Sequence, residues 1–112
     1  MVYGKVYDEF GDKAMNADDH WKLSLSYRSQ NKYELAIKEY WKIIDKALNN
    51  TTKENAYVEI ARIYFNKGDH SKALQMYNEF LFKYPKSIYI EEVKKALKWL
   101  ENYLKSKEKG GN

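Results

Sequence analysis

Apolar and small residues recur at steps of three and four on both sides of a glycine in the second half of this chain. They are Ala56, Tyr57, Ile60, Ala61 and Tyr64 before the Gly68-Asp69 pair, and Ala73, Leu74, Tyr77, Phe80 and Leu81 after it. This spacing places the residues on one face of a helix, and glycine interrupts the helix. The pattern therefore predicts two amphipathic helices joined by a tight turn.

The preceding segment carries the same pattern 37 residues earlier. The earlier residues that match in size or polarity are Leu23, Ser24, Tyr27, Asn31, Ala36, Ile37, Tyr40, Ile43 and Ile44. A helix pair that recurs at a fixed offset is typical of a solenoid, in which each unit buries its apolar face against the next. The sequence therefore predicts an all-α fold built from two helix pairs.

The later unit resembles a tetratricopeptide repeat. The residues that carry the resemblance are Tyr57, Ile60, Ala61, Tyr64, Gly68, Asp69, Ala73, Tyr77 and Pro85. Phe80 departs from the family pattern, which usually has a small residue there. In the earlier unit Asn31 replaces the usual glycine and Leu48 the usual proline. The resemblance covers about residues 17–104 and implies a right-handed α-α superhelix that serves as a protein-interaction module rather than an enzyme.

The predicted organisation follows from this pattern and from helix-capping residues. Asp18 or Asp19, then Thr51 or Thr52, then Ser87 are the expected N-caps. Val2, Tyr3, Val6, Tyr7 and Phe10 stand at helical spacing and predict a short N-terminal helix. The predicted parts are an N-terminal segment (1–16), repeat 1 (17–50), repeat 2 (51–86), a capping helix (87–106) and a flexible tail (107–112).

The concave face of such repeats is the expected partner-binding groove. Its predicted lining comes from the first helix of each pair and the last helix: Trp21, Leu25, Arg28, Asn55, Val58, Glu59, Arg62, Phe65, Lys95 and Lys98. Apolar side chains alternate with cations there, which suits a protein or peptide partner with hydrophobic anchors and acidic side chains. The alternative is that Trp21 and Phe65 pack against the N-terminal segment, which would close the groove.

The last helix presents a second apolar row besides the one it needs for packing. This row is Tyr89, Ala96, Trp99 and Tyr103. An exposed apolar row of this kind indicates either self-association into a homo-oligomer or rings that lie along the edge of the core.

Catalytic and cofactor sites have little support in this sequence. The chain has no cysteine, and it lacks a glycine-rich phosphate loop, a paired-carboxylate motif and a His-x-x-x-His spacing. His20 and His70 each align with an aromatic residue of the other repeat, so we expect them to be packing or turn residues. We predict no enzyme activity, no cofactor, no metal and no small-molecule substrate.

Charge and hydropathy indicate whether the chain binds nucleic acid and where in the cell it is located. The net charge is +4 and the sequence pI about 9.1, but basic and acidic residues alternate along every predicted helix. That pattern favours a solvated surface, so nucleic-acid binding ranks third, after partner binding and self-association. No run reaches the ~20 apolar residues of a membrane helix, and the N-terminus lacks the apolar centre of a signal peptide. A cytoplasmic location is expected for the chain as written.

One short stretch indicates a different location. Residues 80–89 are similar to a repeat variant ending in Tyr-Pro-x-Ser-x-Tyr, which occurs in the Tol-Pal-associated periplasmic repeat protein and the outer-membrane assembly lipoprotein. This resemblance implies a periplasmic scaffold if an export signal has been removed.

Overall fold

All secondary structure in the described part of the chain is α-helical. The computed structural model describes residues 15–108. Its helices are α1 (Ala17–Ser29), α2 (Tyr33–Lys46), α3 (Asn50–Lys67), α4 (His70–Lys83) and α5 (Ile90–Glu108). The predicted all-α helical-repeat fold is confirmed. The short helix expected within residues 2–14 lies outside the described residues, as do residues 109–112.

The chain divides into two compact units between Ala56 and Tyr57. The first unit contains α1, α2 and the first turns of α3, and the second contains the rest of α3 with α4 and α5. The repeat boundaries inferred from the sequence stay a prediction.

Two helices begin with caps that differ from those predicted. The side-chain oxygen of Asn16 accepts a hydrogen bond from the backbone N–H of Asp19 (2.9 Å), and the Asp19 carboxylate accepts one from the Asn16 N–H (3.2 Å). This reciprocal capping box makes Asp19 the third helical residue rather than the cap. At the start of α3, Asn49 Oδ1 accepts from the Thr52 N–H (2.8 Å). Asparagine thus takes the role that the sequence had assigned to aspartate or threonine.

The turn within each helix pair depends on a residue with positive φ. Gly68 has φ 88° and Asn31 has φ 60°. Asparagine is one of the few residues other than glycine that visit this region readily. This explains why the earlier unit makes the same kind of turn without a glycine.

We expect Gly68→Val to lower the free energy of unfolding by about 1–3 kcal/mol, because a β-branched residue is strained at positive φ. An added Cβ at Gly68 would meet no atom within 4 Å, so the loss would come from the backbone alone. Gly68→Asn is the matched control and should lose clearly less. Chemical denaturation of both variants makes the comparison, and equal losses would contradict the backbone explanation.

Equivalent small residues lie at the centre of each unit. Ala36 in α2 and Ala73 in α4 are 37 positions apart, and both are fully buried. Tyr40 and Tyr77, one turn further along, are also buried. In the first unit α1 packs against α2, and in the second α4 packs against α5. These four residues, which the repeat offset had paired, are therefore core residues of their units.

Candidate interaction surfaces

In the first unit, two of the predicted groove residues hold a core tyrosine. The Trp21 ring meets Tyr40 edge to face, with the ring centroids 5.6 Å apart. Arg28 Nη1 donates a hydrogen bond to the Tyr40 hydroxyl at 3.1 Å. Leu25 is about half exposed. Arg28 therefore has a structural role in this unit, while Leu25 presents apolar surface to solvent.

A cavity of about 590 Å³ lies beside Trp21 in the first unit. Its lining includes Lys46, Ala47, Leu48 and the predicted groove residue Asn55. Leu48 is fully exposed, and it occupies the position where the family usually has proline. The connection between α2 and α3 thus contributes an apolar wall that the sequence analysis had not identified.

The same unit contains a buried polar cluster that was not predicted from the sequence. His20 is completely buried, and its Nδ1 lies 2.6 Å from Oε1 of Glu39, which is also buried. Lys46 Nζ lies 3.3 Å from the other ring nitrogen, Nε2. Lys42 Nζ approaches the second Glu39 oxygen at 3.4 Å. The signal was present, since Glu39 falls between Ala36 and Tyr40 on the apolar face of α2.

The geometry of this cluster assigns the His20 tautomer. An ammonium group has donors and no acceptor, so Nε2 accepts from Lys46 and carries no proton. Nδ1 then carries the proton and donates it to Glu39. The imidazole ring consequently links a buried carboxylate to an ammonium group, and both ring nitrogen atoms have a polar partner.

In the second unit, the structure contradicts one predicted groove residue. Val58 is fully buried, so it belongs to the core and does not line an open surface. It lies next to Tyr57, whose ring contacts Phe80 (6.0 Å between centroids) and Tyr84 (6.0 Å). The helical spacing used for the prediction identified one packing stripe on α3, whereas the helix is buried over a wider arc.

Arg62 is held within the second unit by two carboxylates. Its Nε and Nη2 atoms donate to both Glu92 oxygens at 2.7 and 2.6 Å, and its Nη1 donates to Glu59 at 3.1 Å. A forked pair of this kind is among the stronger hydrogen-bonded arrangements in proteins. The Arg62–Glu92 pair therefore attaches α5 to α3, Glu59 holds the guanidinium from within α3, and a substitution at Arg62 would disturb packing as well as surface charge.

The Arg62 fork makes the stability of the second unit depend on pH. Its hydrogen bonds hold the pKa of Glu92 below the usual value of 4.5. A carboxylate with a lowered pKa stabilises the fold above its unfolded-state pKa, and this contribution is lost as the pH falls through the folded-state value. The Glu92 side chain is 40% exposed, so solvent screening limits the contribution to about 0.2–1 kcal/mol.

We expect Glu92→Gln to be less stable than the wild type at pH 7, with the difference disappearing as the pH falls below 4.5. Urea denaturation at a series of pH values measures this difference. Glu91→Gln, at an exposed carboxylate on the same turn, is the matched control and should show a smaller loss. A Glu92→Gln loss that is the same at pH 7 and at pH 3 would contradict the assignment.

Four rings form a cluster in the second unit, which we call the aromatic patch: Phe65, His70, Trp99 and Tyr103. Trp99 and Tyr103 stack with their centroids 5.1 Å apart and their planes 12° from parallel. The Phe65 ring lies 5.1 Å from Trp99, and the His70 ring lies 4.5 Å from Tyr103. Trp99 remains 48% exposed. One residue predicted for the groove, Phe65, thus joins two predicted for self-association.

The other residues of the second unit that were predicted to bind a partner or a second copy are not part of the aromatic patch, although some of them border it. Tyr89 contacts Phe80 (6.5 Å) and lies under the Arg62 guanidinium (5.9 Å), so it has edge-packing contacts of its own. Ala96 is half-buried. Lys95 and Lys98 are exposed and line a shallow depression together with Trp99. The structure therefore brings two predicted groove cations next to the exposed tryptophan.

Two kinds of feature are missing from residues 15–108. That range contains no helix with the length and apolar content needed to cross a membrane. It also contains no group of three or more His, Asp or Glu side chains arranged to hold a metal ion.

Comparison with known proteins agrees with the repeat pattern. Residues 55–87 match the family model described as tetratricopeptide repeat. No curated protein and no solved structure matches the chain. The similarity to the Tol-Pal-associated and outer-membrane assembly proteins, and the cytoplasmic and periplasmic locations, stay predictions. Tetratricopeptide repeats are generally non-catalytic protein-interaction modules. The match over 55–87 supports a tetratricopeptide repeat protein.

Proposed function

We propose that this chain is a protein-interaction module whose second unit binds a partner segment at the aromatic patch. The observation that carries the proposal is the exposed Trp99 ring, stacked on Tyr103 and backed by Phe65. The partner would contribute an apolar anchor against these rings and carboxylates toward Lys95 and Lys98. That the first helices of both repeats form one continuous groove stays a prediction.

The rigidity of the patch supports this function. Tryptophan and tyrosine are enriched among residues that dominate binding energy, because they supply large contact areas with few rotatable bonds. Here Trp99 is fixed by ring contacts on two sides, so binding would cost little side-chain entropy. Lys95 and Lys98 are exposed beside it. Such cations at the edge of a site mainly increase the association rate and favour partners of opposite charge.

Selection from a random-peptide display library on the full chain tests this proposal. We expect enriched peptides that combine an aromatic or aliphatic anchor with acidic residues. Trp99→Ala should weaken their binding by about 2 kcal/mol, as for a hot-spot residue. Lys98→Glu should lower the affinity for acidic peptides and slow their association.

Trp41→Ala is the matched control, since Trp41 is a similarly exposed tryptophan in the first unit. It should leave the selected peptides bound, and thermal melting of each variant verifies the fold. Equal binding by the wild type and Trp99→Ala would exclude the aromatic patch as the binding surface.

Self-association is the second candidate function, because the same exposed Trp99 could stack on a second copy of the chain. Light scattering of the wild type and of Trp99→Glu distinguishes the two. A dimer that becomes a folded monomer in Trp99→Glu would support self-association, whereas a monomeric wild type at high concentration would exclude it.

A further inference from the structure

Helix α5 carries a row of residues at steps of four that extends the aromatic patch in both directions. The row is Glu91, Lys95, Trp99, Tyr103 and Lys107, and its three charged side chains are exposed. Trp99 stacks on Tyr103, and Lys107 Nζ lies 5.6 Å from the centroid of the Tyr103 ring. Lys95 lines the same shallow depression as Trp99. The stacked rings are therefore the middle of a longer row, which we call the α5 row, with charges at both ends.

The α5 row is complementary to itself when it is read in reverse. Trp99 stands at its centre, and the end residues on either side, Glu91 and Lys107, have opposite charges. Between the centre and the ends stand Lys95 on one side and Tyr103 on the other. The tyrosine hydroxyl can accept a hydrogen bond from an ammonium group. An antiparallel copy of the same helix would therefore provide a favourable partner for every residue of the row.

We propose that α5 pairs with α5 of a second copy of the chain, antiparallel and centred on Trp99, a pairing that rests on self-association, the second candidate function. Glu91 of each copy meets Lys107 of the other, Lys95 meets Tyr103, and the two Trp99 rings contact each other. Because the contact has twofold symmetry, each charged pair forms twice.

The packing properties and the charges of α5 favour this arrangement. The commonest class of helix packing lays the four-residue rows of two helices side by side. Ala96 stands on the exposed side of α5 and is half-buried, and its small side chain lets a second helix approach. A parallel pairing in the same register would set Glu91 against Glu91 and Lys107 against Lys107. Like charges at an interface oppose association, so the charges select the antiparallel direction.

This pairing would cover the surface to which the proposed function assigns a partner segment. Trp99 is 48% exposed, and its exposed part cannot contact a second copy and a partner peptide at once. The two occupants therefore exclude each other. Peptide binding would shift the chain toward the monomer, and the apparent affinity for peptides would fall as the chain concentration rises.

Charge reversal at the two ends of the α5 row tests the pairing in the full chain. Glu91→Lys alone or Lys107→Glu alone would place two like-charged pairs in the dimer. We expect each variant to raise the dimer dissociation constant about tenfold, measured by sedimentation equilibrium from micromolar to millimolar concentrations. The two positions are about 24 Å apart along α5, so they cannot pair within one chain. An equal mixture of the two variants should recover wild-type association, because both pairs then have opposite charges.

Lys105→Glu is the matched control, since Lys105 is an exposed lysine in the same turn as Lys107 but lies off the row. Mixed with Glu91→Lys, it should not restore association, and thermal melting verifies the fold of each variant. A wild type that stays monomeric at millimolar concentration would overturn the pairing. Equal restoration by Lys105→Glu and Lys107→Glu would also overturn it, because the effect would then come from net charge alone.

The display-selected peptides separate failure of this pairing from failure of the proposed function. Glu91→Lys weakens the dimer and leaves the aromatic patch unchanged, so it should bind these peptides at least as tightly as the wild type does. A monomeric wild type that binds the peptides through Trp99 would exclude the pairing and support the proposed function. Peptides that bind the wild-type dimer through Trp99 without dissociating it would also overturn the pairing, because Trp99 would then be open in the dimer.

Discussion

Phe80→Ala is expected to lower the free energy of unfolding by about 3–5 kcal/mol, because it empties a fully enclosed ring site. Phe80 has no exposed surface and contacts the rings of Tyr57, Tyr84 and Tyr89. The tetratricopeptide pattern that this unit resembles usually has a small residue at this position, whereas here three aromatic rings contact a phenylalanine. Truncation would therefore leave a cavity that these large, constrained rings cannot fill.

Phe82→Ala is the matched control, since Phe82 lies on the same helix and is 88% exposed. It should change the unfolding free energy by no more than about 0.5 kcal/mol. Urea denaturation of both variants, monitored by circular dichroism, measures the difference. Similar losses for the two variants would mean that Phe80 is not in the core.

Glu39→Leu is expected to cost about 1–3 kcal/mol, because it leaves the buried Nδ1–H of His20 without its acceptor. The carboxylate satisfies the His20 Nδ1–H at 2.6 Å and lies beside Lys42. Leucine would leave that N–H without an acceptor in a site with no access to water, and the desolvation of the histidine would go uncompensated.

The double variant His20→Leu/Glu39→Leu separates this cause from a simple loss of packing. Replacing both partners of a buried pair by apolar residues is often close to neutral. The double variant should therefore lose less stability than the two single variants added together, and a double-mutant cycle measures the coupling. Strict additivity would show that the pair has no specific interaction.

The periodic features of the sequence predicted the helices well. The apolar stripe from Ala73 to Leu81 predicted a helix after the Gly68-Asp69 turn, which agrees with α4, and Gly68 has the positive φ that its place between two apolar stripes required. These features are local: steps of three and four, a turn residue, and a polar side chain at a helix start each act within a few residues. The spacing of residues along the sequence is therefore enough to predict the positions of these helices and turns.

The surfaces could not be predicted in the same way. Spacing placed Val58, Arg62 and Phe65 on an open face of α3, but Val58 is buried, Arg62 binds two carboxylates and Phe65 packs on Trp99. Which arc of a helix is covered depends on its neighbours, and one helix does not report how many neighbours it has. The same limitation hid the His20–Glu39 pair, whose members are 19 residues apart.

The amino-acid sequence by itself determined the all-α class, the recurrence of a helix pair and the turn positions, because local steric preferences and the 3.6-residue period suffice for these. Tertiary structure alone decided which polar residues are paired, which rings form the aromatic patch, and where a cavity remains. Those features depend on side chains from different helices that meet at distances of a few ångströms. Contacts of this kind have no fixed spacing along the chain, so a linear pattern does not contain them.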